Sequence, residues 1–216
     1  MKTRNLYLVR HGQSIYNLEN RFTGWKDVEL SELGERQAKE AGQMLSNVNF
    51  NYCYISNLKR AKNTLQFMLN EMKQSPEIEN NIALNERDYG DLIGQNKAEA
   101  AEKFGEEQIQ IWRRSFDTPP PGGESLKMTA ERTLPFYKNT ILPKVLDNDN
   151  IIISAHGNSI RAIVMEIFNL SPSQILKTEI GWCEPWKITY KEDGALEKYS
   201  IIPRPSEPSS SHLFLD

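Results

Sequence analysis

The sequence predicts an α/β protein: a three-layer α/β/α sandwich around a mainly parallel central sheet. Three observations carry this. Ile151-Ile152-Ile153-Ser154-Ala155 and Asn5 to Arg10 are short apolar runs, too continuous for half-exposed strands and short for helices. Segments with helical spacing of apolar residues follow each run. Strands alternating with helices in this way build parallel sheets covered on both faces.

The elements read in order. Asn5 to Arg10 is a buried strand that opens into a polar loop. Ser31 is a helix N-cap, and Ala38, Ala41, Leu45 and Val48 follow at helical spacing. Tyr52 to Ser56 is a second strand. Leu58, Ala61, Leu65, Met68 and Met72 then mark an amphipathic helix. Residues 97–115 read as helical with a break at Gly105. Asp117 to Gly123 holds three consecutive prolines and two glycines and is a loop. A helix from Ser125 should be kinked or split by Pro135, which lacks an N–H. After the strand at 151–155, Ile160, Ile163, Val164 and Ile167 share one helix face. Trp186 to Tyr190 and Leu196 to Ile202 are late strands or a hairpin around Asp193-Gly194. Residues 1–202 are expected to form a single domain. Residues 203–216 are Pro/Ser-rich and expected to be a flexible tail.

Composition narrows the function. The 216 residues carry 26 Lys and Arg against 29 Asp and Glu, a net charge of −3, so no global basic field favours nucleic acid. Any anion site has to come from a local cluster of arginines. No run is long and apolar enough for a membrane span or a signal peptide, so neither nucleic acid nor membrane is an expected partner. Cys53 and Cys183 are far apart and form no metal or redox spacing. Cys53 reads as a buried small hydrophobe, and a reducing cytoplasm fits.

Two of the three histidines occupy matching contexts. His11 in Arg10-His11-Gly12 and His156 in Ala155-His156-Gly157 each end an apolar strand. In a parallel sheet both emerge at the carboxyl edge, where ligands of open α/β sheets bind. The glycine after each permits close approach of backbone to a ligand. His156 also begins a helix, whose free N–H groups favour an anion. Either histidine alone reads as a satisfied polar residue; the matched pair does not. A metal site is a poor alternative without a neighbouring carboxylate or thiol cluster. A neutral imidazole is a competent nucleophile toward phosphorus. Phosphoryl transfer otherwise needs positioning and charge neutralisation, which arginine supplies through its planar fork. Arg10 and Arg60 are the candidates, although Arg60 beside Lys59 and Lys62 also reads as a solvated helix residue.

The motifs now resemble a known family. Val9-Arg10-His11-Gly12-Gln13-Ser14 with Asn17 is similar to the phosphohistidine signature of the histidine phosphatase superfamily. Asn20-Arg21-Phe22-Thr23-Gly24-Trp25 with Asp27 and Leu30-Ser31-Glu32 resembles the long glycolytic motif of its cofactor-dependent phosphoglycerate mutases. Leu58-Lys59-Arg60-Ala61, Leu84 to Gly90, Asn96-Lys97-Ala98-Glu99, Trp112-Arg113-Arg114 and Ala155 to Ser159 with Arg161-Ala162 match further segments in order. The resemblance spans about residues 6–190.

That resemblance implies a phosphoglycerate mutase-like fold and the interconversion of 2- and 3-phosphoglycerate, in glycolysis and gluconeogenesis. It implies 2,3-bisphosphoglycerate as primer and no metal. It implies that His11 carries the phosphoryl group, that Arg10, Arg60 and His156 surround it, and that Glu86 moves the proton of the substrate hydroxyl. Ser14, Asn17, Thr23, Gly24, Tyr89, Lys97, Arg113, Arg114, Gly157 and Asn158 are implied to hold phosphate, carboxylate or carbon backbone. Small phosphorylated glycerates are the implied partners; a homo-oligomer stays open. The alternative is a phosphomonoester hydrolase of the same superfamily. Two departures stand out. Gln13 lies where many relatives have Glu, and the 117–123 loop is short where longer mutases carry an insertion.

Overall fold

The computed structural model describes residues 3–147 and 150–215. Six strands form one sheet in the order β3-β2-β4-β1-β5-β6: β1 (Asn5–Arg10), β2 (Tyr52–Ile55), β3 (Glu77–Asn80), β4 (Asn150–Ala155), β5 (Trp186–Tyr190) and β6 (Leu196–Ile201). The first four in that order are mutually parallel; β5 runs antiparallel to β1, and β6 runs antiparallel to β5. Helices α1 (Ile15–Leu18), α2 (Glu32–Met44), α3 (Lys59–Met72), α4 (Lys97–Phe104), α5 (Glu106–Arg114), α6 (Leu126–Phe136), α7 (Leu142–Asp147), α8 (Gly157–Phe168) and α9 (Pro172–Lys177) complete the described elements, with short 3-10 turns at Ile82–Leu84 and Gly90–Leu92.

The apolar faces sort the layers. Ala38, Ala41, Leu65 and Met68 of α2 and α3 pack with Tyr7, Val9, Cys53 and Ile152 on one side of the sheet. Ile160, Ile163, Val164 and Tyr137 pack with Leu6, Leu8, Ile151 and Ile153 on the other. This is the expected three-layer sandwich. A third, smaller cluster of Phe22, Leu92, Ala100 and Ile109 caps the carboxyl edge of the sheet.

Several elements differ from their sequence reading. Ser31 caps α2 by accepting the Gly34 N–H, but α2 stops at Met44, short of Val48. α6 ends at Phe136, one residue after Pro135, though the chain stays helical beyond it. The chain passes through a wider π turn at Tyr137–Ile141 straight into α7. The Pro/Ser segment, expected to be flexible, lies along the protein. Arg204 is buried and donates to the Trp182 carbonyl at 3.0 Å and to Glu207 at 2.7 Å. The buried carboxylate of Glu184 accepts Ser209 Oγ at 2.8 Å and the N–H groups of Ser210 and Ser211, both at 2.9 Å. A buried carboxylate and a buried guanidinium both require such partners, and the serines supply them for Glu184. Asp216 lies outside the described residues.

Candidate active site

Strand register creates the site. β1 and β4 are paired through Arg10↔Ala155, and the His11 N–H continues the ladder to the Ala155 carbonyl at 3.0 Å. His11 and His156 therefore leave adjacent parallel strands at the same level, with ring centroids 5.0 Å apart. Both are buried.

The hydrogen bonds of His11 define its tautomer. Nδ1 lies 2.6 Å from the carbonyl oxygen of Gly12, which can only accept, so Nδ1 carries the proton. Nε2 is then a lone pair, and Arg60 Nε donates to it at 3.3 Å. Burial, then the charges of Arg60 and Arg10, hold the pKa of His11 well below the usual imidazole value. Burial and the same arginines, with His11, depress His156 likewise. Ser56 Oγ sits 2.6 Å from His156 Nε2 and also accepts the Leu58 N–H. Nδ1 of His156 is buried and has no protein partner.

Gly12 serves a different purpose from the one its sequence context suggests. A Cβ there would meet the Gly34 carbonyl oxygen at 2.3 Å, so the missing side chain admits α2 against the His11 loop rather than a ligand. At Gly157 the nearest atom to an added Cβ is Arg10 Nε at 3.5 Å, an ordinary contact.

Arg60, the second residue of α3, is buried and spans the site floor. Besides His11 it donates to the carbonyls of Lys26 at 3.0 Å and Gly24 at 2.8 Å. Burial lowers its pKa to about 10, which leaves it charged at neutral pH. Its reading as a solvated helix residue is thereby excluded. Arg10 donates to the Ile180 carbonyl at 2.8 Å and lies over the Trp182 ring, while its Nε has no protein partner.

A cleft of about 200 Å³ is lined by their neighbours Arg10, Gly24 and Gly157 but not by His11, Arg60 or His156 themselves. Arg10, Asn17, Thr23, Gly24, Glu86, Tyr89, Lys97, Arg113, Arg114, Gly157 and Asn158 line it. Ser14 does not. It is buried and caps α1, exchanging hydrogen bonds with Asn17. Glu86 Oε1 accepts the N–H groups of Arg87 at 2.8 Å and of Asn158, in the first turn of α8, at 3.1 Å. Its backbone carbonyl is pinned by Trp25 Nε1 at 2.6 Å and Arg132 at 2.8 Å. Gln13 Oε1 accepts from Ser31 Oγ at 2.8 Å, bracing the His11 loop against the cap of α2. The short loop also supports the site. Pro121 accepts the Asp91 N–H at 2.9 Å, and Glu124 donates its N–H to Asp88 at 2.8 Å. Both contacts flank Tyr89.

Arg21, Phe22, Arg161 and Glu179 complete the lining. Arg21, Phe22 and Arg161 lay within matched motifs, but nothing in their spacing separated them from solvated or core residues. Glu179 carried no signal at all. Six cationic side chains thus face two carboxylates. Buried Arg87 adds a further charge behind them, donating to the Tyr89 hydroxyl at 2.8 Å. Burial alone would raise that hydroxyl's pKa, but Arg87 and Lys97 bring it below the ordinary value. Lys97 is also shifted down, by burial and then by Arg113. Such crowding of like charges is tolerable where an anionic ligand offsets it.

The model of the histidine phosphatase superfamily (branch 1) matches residues 6–201. A 2,3-bisphosphoglycerate-dependent phosphoglycerate mutase of Parvibaculum lavamentivorans is 51% identical over 205 residues, covering 92% of this chain and 97% of that one. One from Nitrobacter hamburgensis is 54% identical over 188 residues, covering 86% and 91%. Among solved structures, a mycobacterial glucosyl-3-phosphoglycerate phosphatase aligns with a TM-score of 0.79 at 24% identity, over 92% and 97% of the two chains. The alpha-ribazole phosphatase of Shigella flexneri aligns with a TM-score of 0.81 at 20% identity, over 93% and 96%. At those identities the two phosphatases share the fold.

Proposed function

The chain belongs to the histidine phosphatase superfamily, and from that membership we propose that it interconverts 2- and 3-phosphoglycerate through a phosphohistidine at His11. The observation that carries the reading is the neutral His11, its Nε2 lone pair directed to Arg60 beside a cleft walled by cations. The mutases at about 50% identity favour this reading over the phosphatase alternative.

2,3-Bisphosphoglycerate supplies the phosphoryl group that loads His11. The residues present suit such a ligand, since the Arg10 Nε donor and the His156 Nδ1 atom are buried with no protein partner. The lone pair of His11 Nε2 forms the N–P bond as the bond from phosphorus to a glycerate oxygen breaks. Glu86 returns a proton to that oxygen. In the reverse direction Glu86 takes the proton of a glycerate hydroxyl, whose oxygen attacks phosphorus, and the N–P electrons return to Nε2. Arg10, Arg60 and His156 offset the charge on the equatorial oxygens. Lys97, Arg113 and Arg114 grip the carboxylate while the intermediate turns round. Asn17, Thr23, Gly24, Tyr89, Gly157 and Asn158 hold the rest, and Ser14 contributes by fixing Asn17. No step in this chemistry calls for a metal. The cytoplasm, where glycolysis runs, is the corresponding location; no helix among the described residues is long and apolar enough to cross a membrane.

A coupled assay with 3-phosphoglycerate, with and without the bisphosphate, tests the proposal. Primer-dependent formation of 2-phosphoglycerate is expected. Release of inorganic phosphate faster than isomerisation would favour the hydrolase reading.

A further inference from the structure

One carboxylate at the rim of the cleft serves two arginines on different helices. Arg114, the last residue of α5, donates to Glu179 Oε1 at 2.9 Å. Arg161, on α8, donates to Glu179 Oε2 at 2.6 Å. All three residues line the cleft. Arg161 has other supports, donating through Nε to the Thr178 carbonyl at 2.9 Å. Among the described residues Glu179 is the one hydrogen-bond partner of the Arg114 side chain. An untethered arginine at the end of a helix samples many rotamers, and ordering it costs a ligand affinity.

The main chain of Glu179 is itself fixed from the C-terminal segment. The Glu179 N–H donates to the His212 carbonyl at 2.8 Å, and the His212 N–H returns to the Glu179 carbonyl at 2.9 Å. Next to this pair, the Gly181 N–H donates to Ser211 Oγ at 2.8 Å, and the Phe214 N–H to Thr178 Oγ1 at 3.2 Å. The segment at 211–214 therefore sets where the shared carboxylate stands.

We propose that Glu179 is a positioning residue for ligand anions: paired through its backbone with His212, it holds Arg114 against Arg161 in the orientation that receives the substrate carboxylate. The proposal rests on the phosphoglycerate reading of the cleft. It gives the C-terminal segment a defined connection to substrate affinity. Glu179 and Arg114 are each about 40% exposed as side chains, at 42% and 40%. An ion pair so exposed contributes little to folding stability. Loss of the Arg114 pair is therefore read in ligand binding, while the less exposed Arg161 keeps its bond to the Thr178 carbonyl.

Calorimetric titration with two probes separates the possibilities: 3-phosphoglycerate, and glycerol 3-phosphate, which keeps the phosphate and lacks the carboxylate. Wild type should bind 3-phosphoglycerate more tightly. Glu179→Ala should weaken that binding about tenfold, the equivalent of one long side chain left unordered, and leave glycerol 3-phosphate nearly unchanged. Glu179→Gln keeps an acceptor oxygen and should lose less. The double variant Glu179→Ala/Arg114→Ala should bind no worse than Arg114→Ala alone. In turnover, KM for 3-phosphoglycerate should rise with kcat little changed. Equal or tighter binding by both Glu179 variants would show a counter-charge that competes with ligand and would overturn the proposal, as would additive losses in the double variant. A wild-type protein that does not distinguish the two probes would overturn the phosphoglycerate reading and this one with it.

Discussion

Arg60 Nε donates to Nε2 of His11 across 3.3 Å, a hydrogen bond that requires the nitrogen to be unprotonated. The same guanidinium is anchored to the carbonyls of Lys26 and Gly24. Arg60 thus marks the attacking lone pair and stands where charge develops on the transferring phosphoryl group.

Arg60→Ala should lower kcat about 100- to 1000-fold, the usual consequence of removing one preorganised donor from a transition state. Arg60→Lys should recover little of it, because a single ammonium cannot reproduce the planar fork. Steady-state assays with circular dichroism as a fold control check this. A lysine variant near wild-type activity would reduce Arg60 to a diffuse positive charge.

Both site histidines should remain neutral between pH 7.5 and 6, since burial and the neighbouring arginines depress their pKa values. The sign for stability follows. Unfolded histidine titrates near 6.5, so below that pH the unfolded chain binds protons that the folded chain refuses, and stability is lost as the pH is lowered. Proton–nitrogen correlation spectra should show the His11 and His156 rings keeping one neutral tautomer each over this range. A ring that titrates near 6.5 in either position would contradict the depressed pKa values.

Truncation after Ile202 should raise phosphate release relative to isomerisation while labelling of His11 persists. The cut removes Ser209, Ser210 and Ser211 from Glu184 and His212 from Glu179, freeing the segment that carries the Ile180 carbonyl and Trp182 against Arg10. A looser wall admits water to the phosphohistidine. Parallel assays of both activities on the two chains measure the ratio, and an unchanged ratio would remove the segment from the mechanism.

Exhaustive chelation should leave turnover intact, because arginines and histidines surround the reacting group where a metal enzyme would gather carboxylates and thiols. Loss of activity on chelation, restored by magnesium or manganese, would contradict the mechanism.

What the sequence revealed follows physical lines. The continuous apolar strands β1 and β4 announce themselves, and with them the two histidines that leave their ends. β3 does not: Glu77-Ile78-Glu79-Asn80 is a short, mostly exposed edge, and pairing with β2 makes it a strand. α9 was legible in principle, since Ser171 and Gln174 form a capping box with Pro172 at the first position. The floor of the site was readable because each member sits in a compact local motif. Glu179 was not, because its ligands Arg114 and Arg161 lie 65 and 18 residues away and only the fold brings them together. The tail misled for a related reason: Pro/Ser composition signals disorder, but the buried Glu184 that those serines satisfy cannot be recognised as buried from its neighbours in sequence.

Labelling of His11 tests the central claim most directly. Brief incubation with phosphorus-labelled 2,3-bisphosphoglycerate should give a stoichiometric adduct, stable to base and labile to acid, that mass spectrometry maps to the His11 peptide. His11→Ala should carry none. Stoichiometric labelling of His11→Ala, or an acid-stable adduct in the wild type, would contradict the account.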